Sequence, residues 1–239
     1  MAPVAPRESR GGAGEAGAAD AGAAHAAAVQ ATAASQAKGK TKPPKEELTE
    51  EEVTAIRIYT ADVYREMNAV FRDFRINAPT ANWEKYSAIA KLAISGLGKL
   101  PKARDTISYR GDNDIKFAGH AGVLKVGAIF RLPNFYSTTT NPAKAFGGAL
   151  GYVFHNNRGG RLIEKFSVYK DEAEILIPPG TTFRVTGEYH LKAGIWVKHN
   201  DKPLPSDPKD ATATATDLVV KAFLAVNPNR ETILEFTEI

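Results

Sequence analysis

Tyr169-Lys170-Asp171-Glu172-Ala173-Glu174-Ile175-Leu176-Ile177-Pro178-Pro179-Gly180-Thr181-Thr182-Phe183-Arg184-Val185 reads as a charged approach, a strand over 175–177, a Pro-Pro-Gly turn and a second strand over 182–186. The acidic pair at its head carries the chemical interest. Glutamates two apart at the start of a strand share one face of a sheet, so Glu172 and Glu174 converge. Such a pair can divide labour, one carboxylate stabilising a developing sugar cation and the other orienting a second reactant. The motif is cheap when taken alone. Glu50-Glu51-Glu52 supplies another, read as a solvated helix turn.

Working outward, further short strands are expected at 107–111, 128–132, 135–138, 152–155, 163–168, 195–199 and 232–236. Glycine pairs at 147–148 and 159–160 punctuate them, and a helix over 217–226 interrupts the last ones. Upstream the period changes. Thr49 suits a helix cap, and Val53, Ile56, Ile58, Tyr59, Val63, Tyr64, Met67 and Val70 recur at helical spacing to about residue 71. A second helix is expected over 82–97, burying Tyr86, Ile89, Ala90, Ala93 and Ile94 and ended by Gly96 and Gly98. Helices first and strands later, without βαβ alternation, give an α+β class.

The chain has 239 residues, a formal net charge of +4 and no cysteine. That length suits one domain, or one domain and a tail. Without cysteine there is no disulfide scaffold, cysteine nucleophile or thiolate metal site. No run approaches the ~20 apolar residues of a membrane helix, so no membrane partner is expected. Sixteen of the first 37 residues are alanine and none is aromatic. Such a segment cannot offset its backbone entropy by burial, so residues 1–45 are read as a disordered tail and linker, and 46–239 as the folded domain. Six Lys/Arg against three Asp/Glu place most of the net charge in that tail. With no aromatics interleaved among basic residues, a nucleic-acid partner is not expected. No 7–15-residue apolar core follows Met1, so a Sec-type signal is not expected either.

His25, His120, His155, His190 and His199 show no two-ligand spacing, so no metal is expected. The run Asn156-Asn157-Arg158-Gly159-Gly160-Arg161 could touch a phosphate or be a solvated hairpin loop. Two other elements precede the glutamates. Ile107-Ser108-Tyr109-Arg110-Gly111 places an arginine near a strand end, with Tyr109 on the opposite face. Arg110 could grip a phosphate with its planar fork, or be an edge-strand surface residue. Phe135-Tyr136-Ser137-Thr138-Thr139-Thr140 runs an aromatic strand into hydroxyls, which could serve a site or cap a helix over 142–146.

Taken in order, Arg110, the Ser137-Thr138-Thr139 strand and Glu172-x-Glu174 resemble the mono-ADP-ribosyltransferases of the Arg–Ser–Glu class, in their bacterial toxin and effector branch. Tyr59-Thr60-Ala61-Asp62-Val63-Tyr64-Arg65-Glu66-Met67-Asn68 resembles that family's N-terminal helix pair, and 160–169 and 174–185 resemble its strands around the glutamates. Thr139 stands where the family often has a second serine. Residues 200–229 form an insertion relative to its usual short ending, one that could reshape the acceptor surface.

The resemblance implies N-terminal helices packed on a two-sheet β core, and transfer of ADP-ribose from NAD to a side chain of a target protein. By position, Arg110 with Gly111 would hold NAD, Ser137 and Thr138 would line the cofactor site, and Ser137 would orient Glu174. Glu174 would contact the nicotinamide ribose and stabilise the cationic transition state. Glu172 and Tyr169 would face the acceptor, with arginine as the acceptor a glutamate at 172 implies. Phe154 or Phe146 would stack on nicotinamide. The same resemblance implies a monomer, secreted by a route that reads no hydrophobic signal, acting on a protein in a host or target cell. An NAD glycohydrolase, a different acceptor such as threonine, and a silent binding module remain alternatives.

Overall fold

The structure, a computed structural model, describes residues 47–74, 81–113, 124–205 and 212–239. The expected tail over 1–45, with His25, and His120 lie outside the described residues. The chain forms two compact units. Of the described residues, one unit holds those up to Leu100 together with Phe166–Val168, and the other holds those of Pro101–Lys165 and Tyr169–Ile239.

The first unit is helical. Helix α1 (Glu50–Ile58) begins at a full capping box: the Thr49 hydroxyl accepts from the Glu52 N–H, and Glu52 accepts from the Thr49 N–H. One π-helical turn (Tyr59–Val63) then breaks what the period reads as a single helix, with Ala61 leaving helical backbone at ψ −145°. Helices α2 (Tyr64–Phe74) and α3 (Ala81–Lys99) follow. Ala55, Ile56, Met67, Ile89, Ala93 and Leu97 close the core between them. The expected stop at Gly96 is not one, because α3 runs on to Lys99. A Cβ at Gly96 would stand 3.0 Å from the Glu52 Cβ, so this glycine lets α1 and α3 approach. The buried Glu52 carboxylate receives Lys99 at 2.7 Å and Ser95 at 2.7 Å. Desolvation pushes its pKa up, but these donors and the Thr49 N–H outweigh that and hold it below the ordinary value.

Among the described residues, the second unit is a sheet with one α-helix. Its strands are β1 (Ser108–Asp112), β2 (Ile129–Arg131), β3 (Tyr136–Thr139), β4 (Leu150–His155), β5 (Arg161–Leu162), β6 (Glu174–Ile177), β7 (Thr182–Lys192), β8 (Ile195–Lys198) and β9 (Thr232–Glu238). The order β2-β7-β9-β4-β1-β3-β6-β5, with β8 on β7, is one hydrogen-bonded path. It is nearly severed between β1 and β3, which share a single register pair, Tyr109↔Thr139. The path therefore behaves as the two sheets the resemblance implies, β2-β7-β9-β4-β1 and β3-β6-β5. Side chains of both, among them Phe130, Tyr152, Phe154, Phe183 and Phe236 from one and Tyr136, Ile175 and Ile177 from the other, close one core.

Helix α4 (Ala215–Val226) covers the other face of the larger sheet and brings Val220 and Phe223 against Tyr109, Val153 and Ile233. Phe223 stacks on Tyr109 at 5.1 Å, so the helix inside the 200–229 insertion supports the strand that carries Arg110.

One expected strand is missing. Residues 163–168, read from the sequence as a strand, form turns. The ladder ends where the Ile163 N–H donates to the Glu174 carbonyl at 3.0 Å, and the Val168 N–H donates to the Thr60 hydroxyl of the π turn at 3.2 Å. The expected helix over 142–146 is a single 3-10 turn (Pro142–Lys144), capped by Asn141. Among the described residues, no helix is long and apolar enough to cross a membrane, and no group of three His, Cys, Asp or Glu could hold a metal ion.

Candidate active site

The split between β1 and β3 places the three sequence elements together. Beyond the Tyr109↔Thr139 pair the strands part, and the Arg110 guanidinium fills the gap, its Nη1 donating to the Ser137 carbonyl at 2.8 Å. Two aromatic rings lie against it: the guanidinium carbon stands 4.4 Å from the Tyr136 ring centroid and 5.0 Å from that of Phe146. Desolvation pushes the Tyr136 phenol well above its ordinary pKa, so a neutral ring lies under the cation. Asp112 Oδ2 stands 3.8 Å from Arg110 Nε, and 20% of the arginine side chain stays exposed. Rings packed against a guanidinium leave its N–H groups to meet an anion.

On β3 the next hydroxyl turns to the other side of the strand. β3 and β6 pair with Thr139 opposite Glu174, which makes Ser137 and Glu174 diagonal neighbours on one face. Ser137 Oγ donates to Glu174 Oε1 at 2.5 Å, a charge-assisted bond on a residue only 4% exposed. Glu174 begins β6, and the ladder fixes its backbone.

Glu172 is placed differently from the expectation. It lies on a 3-10 turn (Lys170–Glu172) outside the strand, and Ala173, at φ 46°, turns the chain between the two glutamates. Strand alternation therefore does not relate Glu172 to Glu174; a left-handed residue does. Thr139 Oγ1 donates to the Glu172 carbonyl at 2.5 Å, and the Thr140 N–H donates to the Ala173 carbonyl at 3.1 Å, tying the turn to the end of β3. Lys144 reaches Asp171 at 2.8 Å from the neighbouring 3-10 turn. Its hydrogen bond to Asp171 and the charges of Asp171 and Glu172 raise the ammonium above its ordinary pKa. Tyr169, half-buried, opens the turn, and its carbonyl accepts the Glu172 N–H at 3.4 Å.

Two residues expected to touch NAD make contacts within the chain. The buried Thr138 hydroxyl donates to the Ile175 carbonyl across the ladder. At Gly111 a Cβ would meet the Phe146 carbonyl and the Arg230 guanidinium, so its open side is filled by the chain itself. Phe154 is fully buried in the core and cannot stack on a ligand, whereas Phe146 is 38% exposed. The basic run also resolves: Arg161 Nη1 donates to the carbonyls of Arg158, Gly159 and Gly160, and the Gly159 N–H donates to Glu238. Its guanidinium braces its own loop.

Sequence reasoning missed Tyr136, which alternation places on the face opposite Ser137, and Thr139 as the tether of the turn. It also missed Arg230, which carries no motif.

The chain matches the family described as ART, NAD:arginine ADP-ribosyltransferase, over residues 19–202. A search of curated protein sequences gives no match. Among solved structures, the fold is similar to the catalytic domain of VahC from Aeromonas hydrophila, with TM-score 0.56, 20% identity, and 81% of this chain and 100% of that one covered. It is also similar to the Vis toxin, an ADP-ribosyltransferase from Vibrio splendidus, with TM-score 0.53, 20% identity and coverage of 80% and 74%. The type III effector XopAI from Xanthomonas axonopodis pv. citri matches with TM-score 0.52, 19% identity and coverage of 79% and 66%, so this chain spans about two thirds of that one. At these identities the structural likeness speaks for the fold.

Proposed function

The chain belongs to the NAD:arginine ADP-ribosyltransferase family, and from that premise we propose that it transfers ADP-ribose from NAD to a side chain of a target protein, with arginine as the acceptor. The observation that carries this reading is the line Arg110–Ser137–Glu174: a guanidinium on the Ser137 carbonyl and the Ser137 hydroxyl on the Glu174 carboxylate.

NAD supplies an ADP-ribosyl group whose bond to nicotinamide breaks with the release of a neutral leaving group. Arg110, packed against two aromatic rings, holds the diphosphate side through its N–H groups. Ser137 fixes one oxygen of Glu174, which orients the carboxylate toward the nicotinamide ribose. There Glu174 stabilises positive charge that grows on the sugar only as the bond breaks, an interaction stronger in the transition state than before it. Glu172, on the turn, aligns the acceptor guanidinium with a two-pronged contact, and Tyr169 faces the acceptor surface. The new bond joins the sugar carbon to a guanidinium nitrogen, which gives up a proton. Gly111 and Thr138 do not enter this reading.

Residues 46–239 act as the catalytic domain, and the protein works as a monomer. By likeness to a named type III effector and to the Vis toxin, we take it as a bacterial effector delivered into another cell. A reporter fused to residues 1–45 tests delivery: retention of the fusion inside the producing cell would contradict that role for the segment. The activity is tested by incubating the protein with labelled NAD and a cell lysate. A labelled protein band that disappears with Glu174→Ala and yields to arginine-specific release chemistry is expected. A band that Glu174→Ala leaves unchanged would overturn the reading.

A further inference from the structure

Between the Ser-Thr-Thr strand and β4 runs the segment 140–149, which carries Phe146. Its carbonyls are gripped from one place, the connection between α4 and β9. Asn227 Nδ2 donates to the Pro142 carbonyl at 2.8 Å. Arg230 Nη2 donates to the Phe146 carbonyl at 2.5 Å, and its Nη1 donates to the carbonyls of Gly148 at 2.5 Å and Leu150 at 3.0 Å. The Glu231 N–H adds the Ala149 carbonyl at 2.7 Å. Five carbonyls within nine residues thus face donors from residues 227–231.

Arg230 itself is 2% exposed, and its fourth contact is the Asn227 side-chain oxygen at 3.0 Å. Among the described residues, no carboxylate pairs with it. A buried guanidinium without a counter-charge is costly, and here it is offset by carbonyl dipoles and by the Phe223 ring 5.4 Å away. A structural filler of that space could be apolar. A planar fork with several donors in fixed geometry is suited instead to holding an irregular stretch of backbone in one conformation. Gly111, directly after Arg110, leaves the room for this: a Cβ there would collide with the Phe146 carbonyl and with both terminal nitrogens of Arg230.

We propose that Arg230 is a positioning residue for the NAD reaction, fixing the Phe146 segment so that the Phe146 ring covers Arg110 and directs its guanidinium edge toward the substrate. This rests on the reading of Arg110 as the NAD anchor. The 200–229 insertion, which the sequence suggests as a feature of the acceptor surface, then leads into an element that acts on the NAD side.

The test measures nicotinamide release against NAD concentration for the wild-type protein, Arg110→Lys, Arg230→Lys, Phe146→Leu and the Arg230→Lys/Phe146→Leu double variant, with circular dichroism to confirm folding. Lysine keeps the charge but not the fork. Arg230→Lys is expected to raise the KM for NAD about tenfold with kcat within about twofold, and the double variant to be no worse than the weaker single one. A folded Arg230→Lys with wild-type KM, or effects of Arg230→Lys and Phe146→Leu that simply multiply, would overturn the proposal. If Arg230→Lys does not fold, Asn227→Ala, which removes the Pro142 grip and one Arg230 partner, is expected to raise KM about threefold, and an unchanged KM would overturn it. A wild-type protein that releases no nicotinamide, or an Arg110→Lys variant with unchanged KM, would sink the reading of the site itself.

Discussion

Glu172 and Glu174 are separated by one residue and are held in different ways. Glu174 stands in a strand, 4% exposed, its backbone fixed by the β3 ladder and its carboxylate by the Ser137 hydroxyl at 2.5 Å. Glu172 stands on a 3-10 turn joined to that strand through a left-handed alanine, tethered by its carbonyl, and flanked by an ion pair whose Asp171 side chain is 72% exposed. Bond cleavage requires one geometry each time, so a ladder position suits it. Acceptors arrive on a protein surface, and a turn held by a few tethers can adjust to them. Under the proposed function, the rigid position falls to the glutamate of bond cleavage and the adaptable one to the glutamate of acceptor recognition.

The sharpest way to break this division is Glu174→Gln. It keeps the shape and the Ser137 contact but removes the charge, and nicotinamide release and protein labelling should fall together by about 10²–10³. Ser137→Ala tests whether the ladder position suffices without the hydroxyl. Loss of a charge-assisted hydrogen bond predicts a fall of about 10–100-fold in kcat, again in both readouts. Glu172→Gln should separate them, labelling falling about 10-fold or more while nicotinamide release stays within about threefold.

Ala173→Gly relieves the left-handed alanine and should stabilise the fold by about 0.5 kcal/mol in thermal denaturation. Ala173→Val, branched at the same φ of 46°, should destabilise it. Lys144→Ala breaks the exposed Lys144–Asp171 pair and should alter labelling by about twofold or less, with the difference vanishing in high salt. A Lys144→Ala effect that persists in high salt would mean the turn is held more firmly than the contrast allows.

The element order of this fold is legible in the sequence because local rules dictate it: the change from helical to strand period gives α before β. The meeting of Ser137 and Glu174 comes from the sequence only through the family resemblance, because the β3–β6 pairing that sets them side by side joins residues 37 positions apart. Arg110 can be placed near a strand end by alternation, but the single pair Tyr109↔Thr139 that opens a gap for it is a property of the whole sheet. Local patterns misled where tertiary contacts overrode them. The apolar and β-branched residues of 163–168 read as a strand, yet the Thr60 hydroxyl takes the Val168 N–H that a ladder would use. Gly96 looks like a helix stop and is a close-approach position against Glu52. Gly111, which the resemblance assigns to NAD, leaves room for Arg230, whose five-residue neighbourhood Asn227–Glu231 shows no pattern because its partners lie some 80 positions away.

The division between the two glutamates is tested most directly by one paired measurement: nicotinamide release and protein labelling, from the same reactions, for Glu172→Gln and Glu174→Gln. Glu172→Gln should keep releasing nicotinamide while labelling is lost, and Glu174→Gln should lose both. Equal loss of both readouts in both variants would contradict it, because the turn would then serve bond cleavage as much as the strand does.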